Sequence, residues 1–238
     1  MKKVMIIGAS SGIGKELALL YLKAGHSVGI TGRRAALLEE IQLQYPSQTA
    51  IEVFDVTGNN NIQHLESLIS KLGGMDLFVY NSGYGEASKD LNWEMDKATT
   101  LINVNGFVEM TNYAFNYFVK QGHGQIAGMS SIASYRGASW APAYSASKAY
   151  MSNYLEAITI KAYRLKKNVT VTDIQPGFVQ TEMAKGDGIF WSAPLAKATL
   201  QIFKAIEKKK RRVQVTKRWV FVAWVMKRLP FFLYKQIG

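Results

Sequence analysis

The chain contains no cysteine, which excludes disulfides and thiolate metal sites and suits a reducing cytosol. Histidine is also scarce: His26, His64 and His123 are scattered, without HExxH or paired spacing, so each reads as a surface or loop residue and no metal centre is expected. Met1-Lys2-Lys3 runs straight into an apolar segment, which leaves no room for a cleavable signal or a leading membrane helix, so a cytoplasmic location is expected. Internal repeats and low-complexity linkers are missing too. At 238 residues and 48% hydrophobic, the chain suits one sizeable core, and a second domain is not expected. Acid is nearly absent from the carboxyl-terminal part: from Lys204 onward 11 Lys and Arg face the single acid Glu207, so this segment holds +10 of the net +12. Residues 1–203 are almost balanced, with 18 basic and 16 acidic groups. The charge therefore belongs to a tail and not to a nucleic-acid-binding body.

What the sequence does contain is a repeated alternation. Apolar runs bounded by turn signals recur at Val4 to Ile7, Ser27 to Thr31, Ile51 to Phe54, Leu77 to Tyr80, Gln125 to Met129 and Val169 to Ile174, with helical patterns between them. This predicts an α/β fold: a Rossmann-like, doubly wound, mostly parallel sheet covered by helices on both faces. A seventh short strand, Arg212 to Val215, closes the edge. Doubly wound sheets bind ligands outside the carboxyl ends of their strands, and the conspicuous residues fall there. Gly8 to Gly14 follow the first strand, Arg33 and Arg34 the second, Asp55 the third, Asn81 to Gly83 the fourth, Ser130 and Ser131 the fifth, and Pro176 and Gly177 the sixth.

Gly8-Ala9-Ser10-Ser11-Gly12-Ile13-Gly14 lies between a strand and a helical pattern beginning at Lys15. Glycines permit a sharp turn and close approach to a pyrophosphate, and a helix amino end offers N–H groups and partial positive charge. The spacing is G-x-x-x-G-x-G, not the commoner G-x-G-x-x-G. Further along, Tyr144 and Lys148 are four residues apart, one helical turn, which brings an ammonium near a phenol and favours its ionised form. By itself that spacing is common. Together with the glycine turn, and with Ser131 thirteen residues before the tyrosine, it resembles the short-chain dehydrogenase/reductase family from Lys3 to about Thr181.

The resemblance implies an oxidoreductase acting between a ketone or aldehyde and the corresponding alcohol. Tyr144 would be the general acid, Lys148 would lower its pKa and bind the nicotinamide ribose, and Ser131 would hydrogen-bond the substrate oxygen. Asn103, three before Gly106, matches the family position that holds a water relaying protons from Lys148; neighbouring Asn105 reads as a local helix perturbation. Gly8, Ser10, Ser11, Gly12, Ile13 and Gly14 would cradle the dinucleotide. Asp55 and Val56 would meet the adenine, although Asp55 also suits a helix cap, and Asn81 and Gly83 match a family motif altered here to Tyr80-Asn81-Ser82-Gly83. Pro176, Gly177, Val179 and Thr181 match the segment that holds the carboxamide.

The second strand ends on Gly32, where an NAD-preferring relative would carry an acid; Arg33 and Arg34 follow, with Arg33 the first choice for a 2′-phosphate. NADPH is therefore expected over NADH. Phe178, Met183, Phe190 and Trp191 are candidates for a hydrophobic substrate side, the latter three in a lid at about residues 182–193, although core or subunit contacts would explain them equally. The family also implies a homodimer or homotetramer. A dinucleotide-sensing or scaffold protein without turnover is the alternative, but such proteins often lose the Tyr/Lys pair kept here.

Residues 1–216 thus form one NADP-binding catalytic domain and residues 217–238 a basic, aromatic helical extension. Its apolar stretch, Trp219 to Met226, is too short to span a bilayer. Packing on the pocket or on a partner subunit, and peripheral contact with an anionic membrane, are both consistent with it.

Overall fold

The structure, a computed structural model, describes residues 1–182 and 191–236. Seven strands form one sheet in the order β3-β2-β1-β4-β5-β6-β7, and every neighbouring pair is parallel. They are β1 (Lys3–Ile7), β2 (Ser27–Gly32), β3 (Thr49–Val53), β4 (Leu77–Tyr80), β5 (His123–Met129), β6 (Asn168–Pro176) and β7 (Arg212–Val215). The helices are α1 (Gly12–Lys23), α2 (Ala35–Gln44), α3 (Asn61–Leu72), α4 (Trp93–Thr100), α5 (Phe107–Gln121), α6 (Pro142–Arg164), α7 (Leu195–Glu207), α8 (Arg218–Arg228) and α9 (Phe231–Tyr234).

The continuous apolar runs have a simple cause. A strand covered on both faces must be apolar at every position, because successive side chains point to opposite sides. In β1, Val4 and Ile6 join a core with Leu17, Leu22, Leu38 and Ile202, the layer of α1, α2 and α7. Met5 and Ile7 point the other way, into a core with Leu68, Phe107, Phe118 and Leu155, the layer of α3, α5 and α6. All four side chains are fully buried. Strand order reverses direction between β1 and β4, which opens a crevice at their carboxyl ends.

Three local details depart from the sequence expectations. The sheet is wholly, not mostly, parallel. Helix α1 begins at Gly12, inside the glycine-rich stretch and three residues before Lys15; low helix propensity matters little in a first turn, where the N–H groups have no intrahelical acceptor in any case. Between α4 and α5 the chain does not run as one regular helix but passes through a π-helical turn, Leu101–Gly106.

Candidate active site

Strand β1 delivers the chain to Gly8, whose φ of 85° is a backbone conformation that side chains rarely adopt, and a Cβ there would strike Ser82. The turn leads directly into α1, where Ser11 is the N-cap but makes no side-chain capping bond. First-turn N–H groups at Gly12, Ile13 and Gly14 thus face the crevice end of the helix without a cap, an arrangement that suits a phosphate. Asn81, at the end of β4, donates to the Gly8 carbonyl at 2.6 Å and pins the turn to the sheet. Across the crevice stands Thr181, whose methyl is 3.5 Å from where a Gly12 Cβ would be. The opening between them, bounded also by Ser11, Gln180, Glu182 and Leu195, has a volume of about 460 Å³. A groove of about 610 Å³ between α3 and α5 is larger, but it includes none of the residues predicted for the site.

Both arginines after β2 are at the crevice. Arg34 reaches over the glycine turn, donating to Ser11 Oγ at 2.6 Å and to Ser10 Oγ at 3.1 Å, and pairs with Glu182 at 3.4 Å. Arg33 is largely exposed and pairs with Asp55 at 3.4 Å. Asp55 accepts 2.9 Å bonds from both the Thr57 N–H and the Thr57 hydroxyl. Burial would raise the Asp55 carboxyl, but those donors and the Arg33 guanidinium outweigh it and hold it below its ordinary value. Asp55 does not cap the following helix, since α3 starts at Asn61 with Asn60 as its N-cap. The carbonyl of Val56 is taken by the Asn61 side chain at 3.0 Å.

The residues predicted for proton transfer gather at the ends of β5 and β6 and on α6. Ser131 lies beside Tyr144, close enough for its hydroxyl to favour the ionised phenol; its Oγ donates to the Pro176 carbonyl at 3.4 Å and accepts from the Ala133 N–H at 3.1 Å. Ser130 turns away, bonding Asp173 and, at 3.2 Å, the Ile174 carbonyl. One turn beyond Tyr144, Lys148 is buried; its Nζ donates to the Met129 carbonyl at 2.8 Å and lies 5.6 Å from the centroid of the Tyr144 ring. Gly83 fits against this amine, which would be 3.2 Å from a Cβ there, with Asn103 Oδ1 at 3.6 Å.

Asn103 is fully buried in the π turn, while Asn105 is exposed. The Asn103 amide donates to the Tyr84 carbonyl at 2.7 Å and to Ser147 Oγ at 2.9 Å, and its oxygen accepts from the Tyr84 N–H at 2.9 Å. It therefore ties the loop after β4 to α6.

Electrostatics here run against one sequence expectation. The four-residue spacing predicts a phenol lowered by Lys148, but Tyr144 is raised, because burial dominates and only the Ser131 bond works in the lowering direction. Lys148 is itself lowered to about 8 by burial, with the Asp173 charge opposing the shift. The two groups are thereby moved in opposite senses from their ordinary values of 10.0 and 10.5: the phenol is kept protonated at neutral pH, and the amine is poised within about a unit of it.

The sequence-predicted substrate residues are less convergent. Phe178 packs edge-on against Trp219 of α8, ring centroids 5.6 Å apart. Trp191 is half exposed. Met183, Phe190 and most of the predicted lid lie outside the described residues, although Val179 and Ala193 pair as an isolated bridge at its base.

Sequence reasoning missed two parts of the site. Gly85 approaches the face of Tyr144 so closely that any side chain there would enter the ring. Asp173 on β6, almost wholly buried, accepts from Ser130, from Ser152 at 2.6 Å, from Gln175 at 2.9 Å and from Arg212 of β7 at 3.0 Å. An acid inside an apolar strand run was the available signal, because a buried carboxylate requires partners.

A model of the short chain dehydrogenase family matches residues 2–188. An uncharacterized oxidoreductase of Myxococcus xanthus is 32% identical over 188 residues, covering 76% of this chain and 74% of that protein. The 11-beta-hydroxysteroid dehydrogenase 1A of Arabidopsis thaliana is also 32% identical, over 78% of this chain but 54% of its own length. Among solved structures, a short-chain dehydrogenase from Streptomyces avermitilis superposes with a TM-score of 0.83 at 22% identity, covering 94% of this chain and 90% of that one.

Proposed function

Because the chain belongs to the short chain dehydrogenase family, and its chemistry is therefore oxidoreduction with a nicotinamide cofactor, we propose that it reduces a hydrophobic ketone or aldehyde with NADPH, or oxidises the corresponding alcohol. The observation that carries this reading is the convergence of Ser131, Tyr144 and Lys148, with the Ser131 hydroxyl acting on the phenol and the Lys148 amine 5.6 Å from the centroid of its ring.

Gly8, Ser10, Ser11, Gly12, Ile13 and Gly14 would hold the dinucleotide phosphates, Asp55 and Val56 the adenine, and Asn81 and Gly83 the floor between the halves. Lys148 would hold the nicotinamide ribose, and Pro176, Gly177, Val179 and Thr181 the carboxamide. Bound there, the nicotinamide supplies hydride to the carbonyl carbon or accepts it from the alcohol. Two guanidinium groups follow Gly32, where a carboxylate would otherwise repel a 2′-phosphate, and this supports NADPH, with Arg33 as the principal contact and Arg34 beside it.

The chain's own groups provide the rest. Ser131 donates a hydrogen bond to the substrate oxygen and steadies the charge that develops on it. Tyr144 transfers its proton to that oxygen during reduction, and a raised phenol pKa suits this because the proton is present at neutral pH. Lys148 opposes the build-up of negative charge on Tyr144 once the proton has left. Asn103 holds the Tyr84 loop and α6 at fixed spacing around these atoms. The aromatic residues near the mouth, and the hydroxysteroid dehydrogenase among the relatives, support an apolar substrate. Assembly as a homodimer or homotetramer is the form we expect in solution.

The test is a panel of carbonyl compounds, from short aldehydes to acyl chains and steroids, followed by NADPH absorbance. Turnover of apolar ketones that disappears in Tyr144→Phe is expected. Absence of any NADPH fluorescence change on mixing with the protein would overturn the cofactor assignment.

A further inference from the structure

Helix α8 has two unlike faces. Its inner face, Trp219 and Ala223, is buried against Ile132 and the partly buried Tyr135 and Phe178; Ile132 follows Ser131 directly, and Trp219 sits over Gly177 so closely that a side chain at Gly177 would collide with its indole. The tail is also fastened to the segment after Ser131. Arg136 donates to the Leu229 carbonyl at 2.9 Å and stacks 4.4 Å over the Tyr234 ring, whose hydroxyl donates to the Gly137 carbonyl at 2.7 Å. The inner face therefore packs on the segment that follows Ser131 and over Gly177.

The outer face is where the balance of the chain is unusual. Phe221 is 65% exposed, Trp224 53%, Phe231 72% and Phe232 62%, with Val220 and Leu233 beside them. Interleaved with these are Lys217, Arg218, Arg228 and Lys235, all exposed, and among the described residues none pairs with a carboxylate; Lys227 turns instead to the Tyr135 ring, 4.6 Å from its centroid. The guanidinium of Arg228 lies 4.7 Å over the Trp224 ring, and Phe221 and Trp224 stack at 6.3 Å. Exposed rings cost free energy in water, and these cations, without acids among them, repel one another. One kind of surface relieves both at once: an anionic lipid layer, with phosphates for the cations and a headgroup boundary for the rings.

We propose that the outer face of α8 and α9 docks peripherally on anionic membrane. Helix α8, at 11 residues, is about 16 Å long and lies on the layer without crossing it. No helix among the described residues is long and apolar enough to cross a membrane. Docked this way, the Ser131 and Gly177 segments against which α8 packs are held beside the headgroups, where an apolar carbonyl compound partitions. That last step rests on the catalytic reading above; the docking does not.

Flotation of the full chain with two sets of vesicles tests it, one of phosphatidylcholine and one of equimolar phosphatidylcholine and phosphatidylglycerol. The bound fraction should rise at least about tenfold on the anionic vesicles and fall back at raised salt. Phe221→Ala with Trp224→Ala, and separately Lys217→Gln with Arg228→Gln, should each lose most of that gain. Because all four residues are exposed, their variants should keep the parent melting temperature and the NADPH fluorescence change, so a docking failure is distinguished from a failure of the cofactor reading. Equal binding to both vesicle types, binding unchanged in the variants, or a doubling of particle mass that the same substitutions abolish would each overturn it, the last by showing the face to be a contact between copies.

Discussion

Asp173 Oδ2 and Arg212 Nε meet at 3.0 Å across the β6–β7 seam, and the carboxylate is almost wholly buried. The same oxygen accepts from Ser152 and the other one from Ser130, so one buried charge fixes the residue next to Ser131 and a helical turn adjoining Lys148. Removing one partner of such a pair leaves the other uncompensated, which costs about 3–5 kcal/mol. Arg212→Met should therefore lower the melting temperature by roughly 10 °C, at about 2–4 °C per kcal/mol for a chain of this size. Calorimetry of Arg212→Met beside Asp173→Asn/Arg212→Met checks it: the double variant should recover part of the loss.

Tyr144→Phe removes the transferable proton and leaves the ring that packs near Gly85. Turnover should fall by about 10²–10⁴-fold while NADPH binding, followed by fluorescence titration, stays near the parent value. Equal loss of both would mean that the ring position, not the proton, is what the site needs.

Arg33→Ala should weaken NADPH by about 10–100-fold, the worth of a charge-assisted bond to phosphate, and leave NADH within a few-fold. Arg33 also pairs with Asp55, but that contact is exposed and carries little stability. Isothermal titration with both dinucleotides separates the two effects. A parallel loss for NADH would transfer the phosphate role to Arg34.

Lys148 gives stability a predictable slope with pH. Its folded value, about 8, is below its unfolded value of 10.5, so between these limits the unfolded chain carries the extra proton and stability rises with pH. Above the upper limit the burial penalty is gone, and below pH 8 it is fully present. Denaturant unfolding from pH 8 to 10 should show stability increasing by up to about 3 kcal/mol, and Lys148→Met should flatten the curve. Tyr144, with its raised folded value, acts in the opposite sense above pH 10, which sets the upper end of the range.

Ser131, Tyr144 and Lys148 were legible because they sit within eighteen positions of one another, on a strand end and one helix, where spacing nearly determines geometry. The strand ends were legible for a related reason: a sheet buried on both faces leaves uninterrupted apolar runs, and the polar residue that ends each run marks the crevice. The Asp173–Arg212 pair was not, since it joins residues 39 apart through a strand pairing that no local pattern encodes. The direction of the Tyr144 shift was hidden because burial, which dominates it, is a property of the whole packed layer and not of the helix turn. The union of Arg136 with Leu229 and Tyr234 likewise depends on where the last helices return to the body.

The π turn at Leu101–Gly106 acts as a phase shifter. A regular helix advances about 100° per residue, so the wider turn lets α4 and α5 run as one rod while its two halves present faces out of step: α4 against α6, and α5 against the sheet. Deleting one residue there would restore a uniform winding and rotate Asn103 away from Ser147 and Tyr84, although every side chain of the reacting group would still be present. The winding of this segment thus sets where Asn103 meets Ser147 and Tyr84.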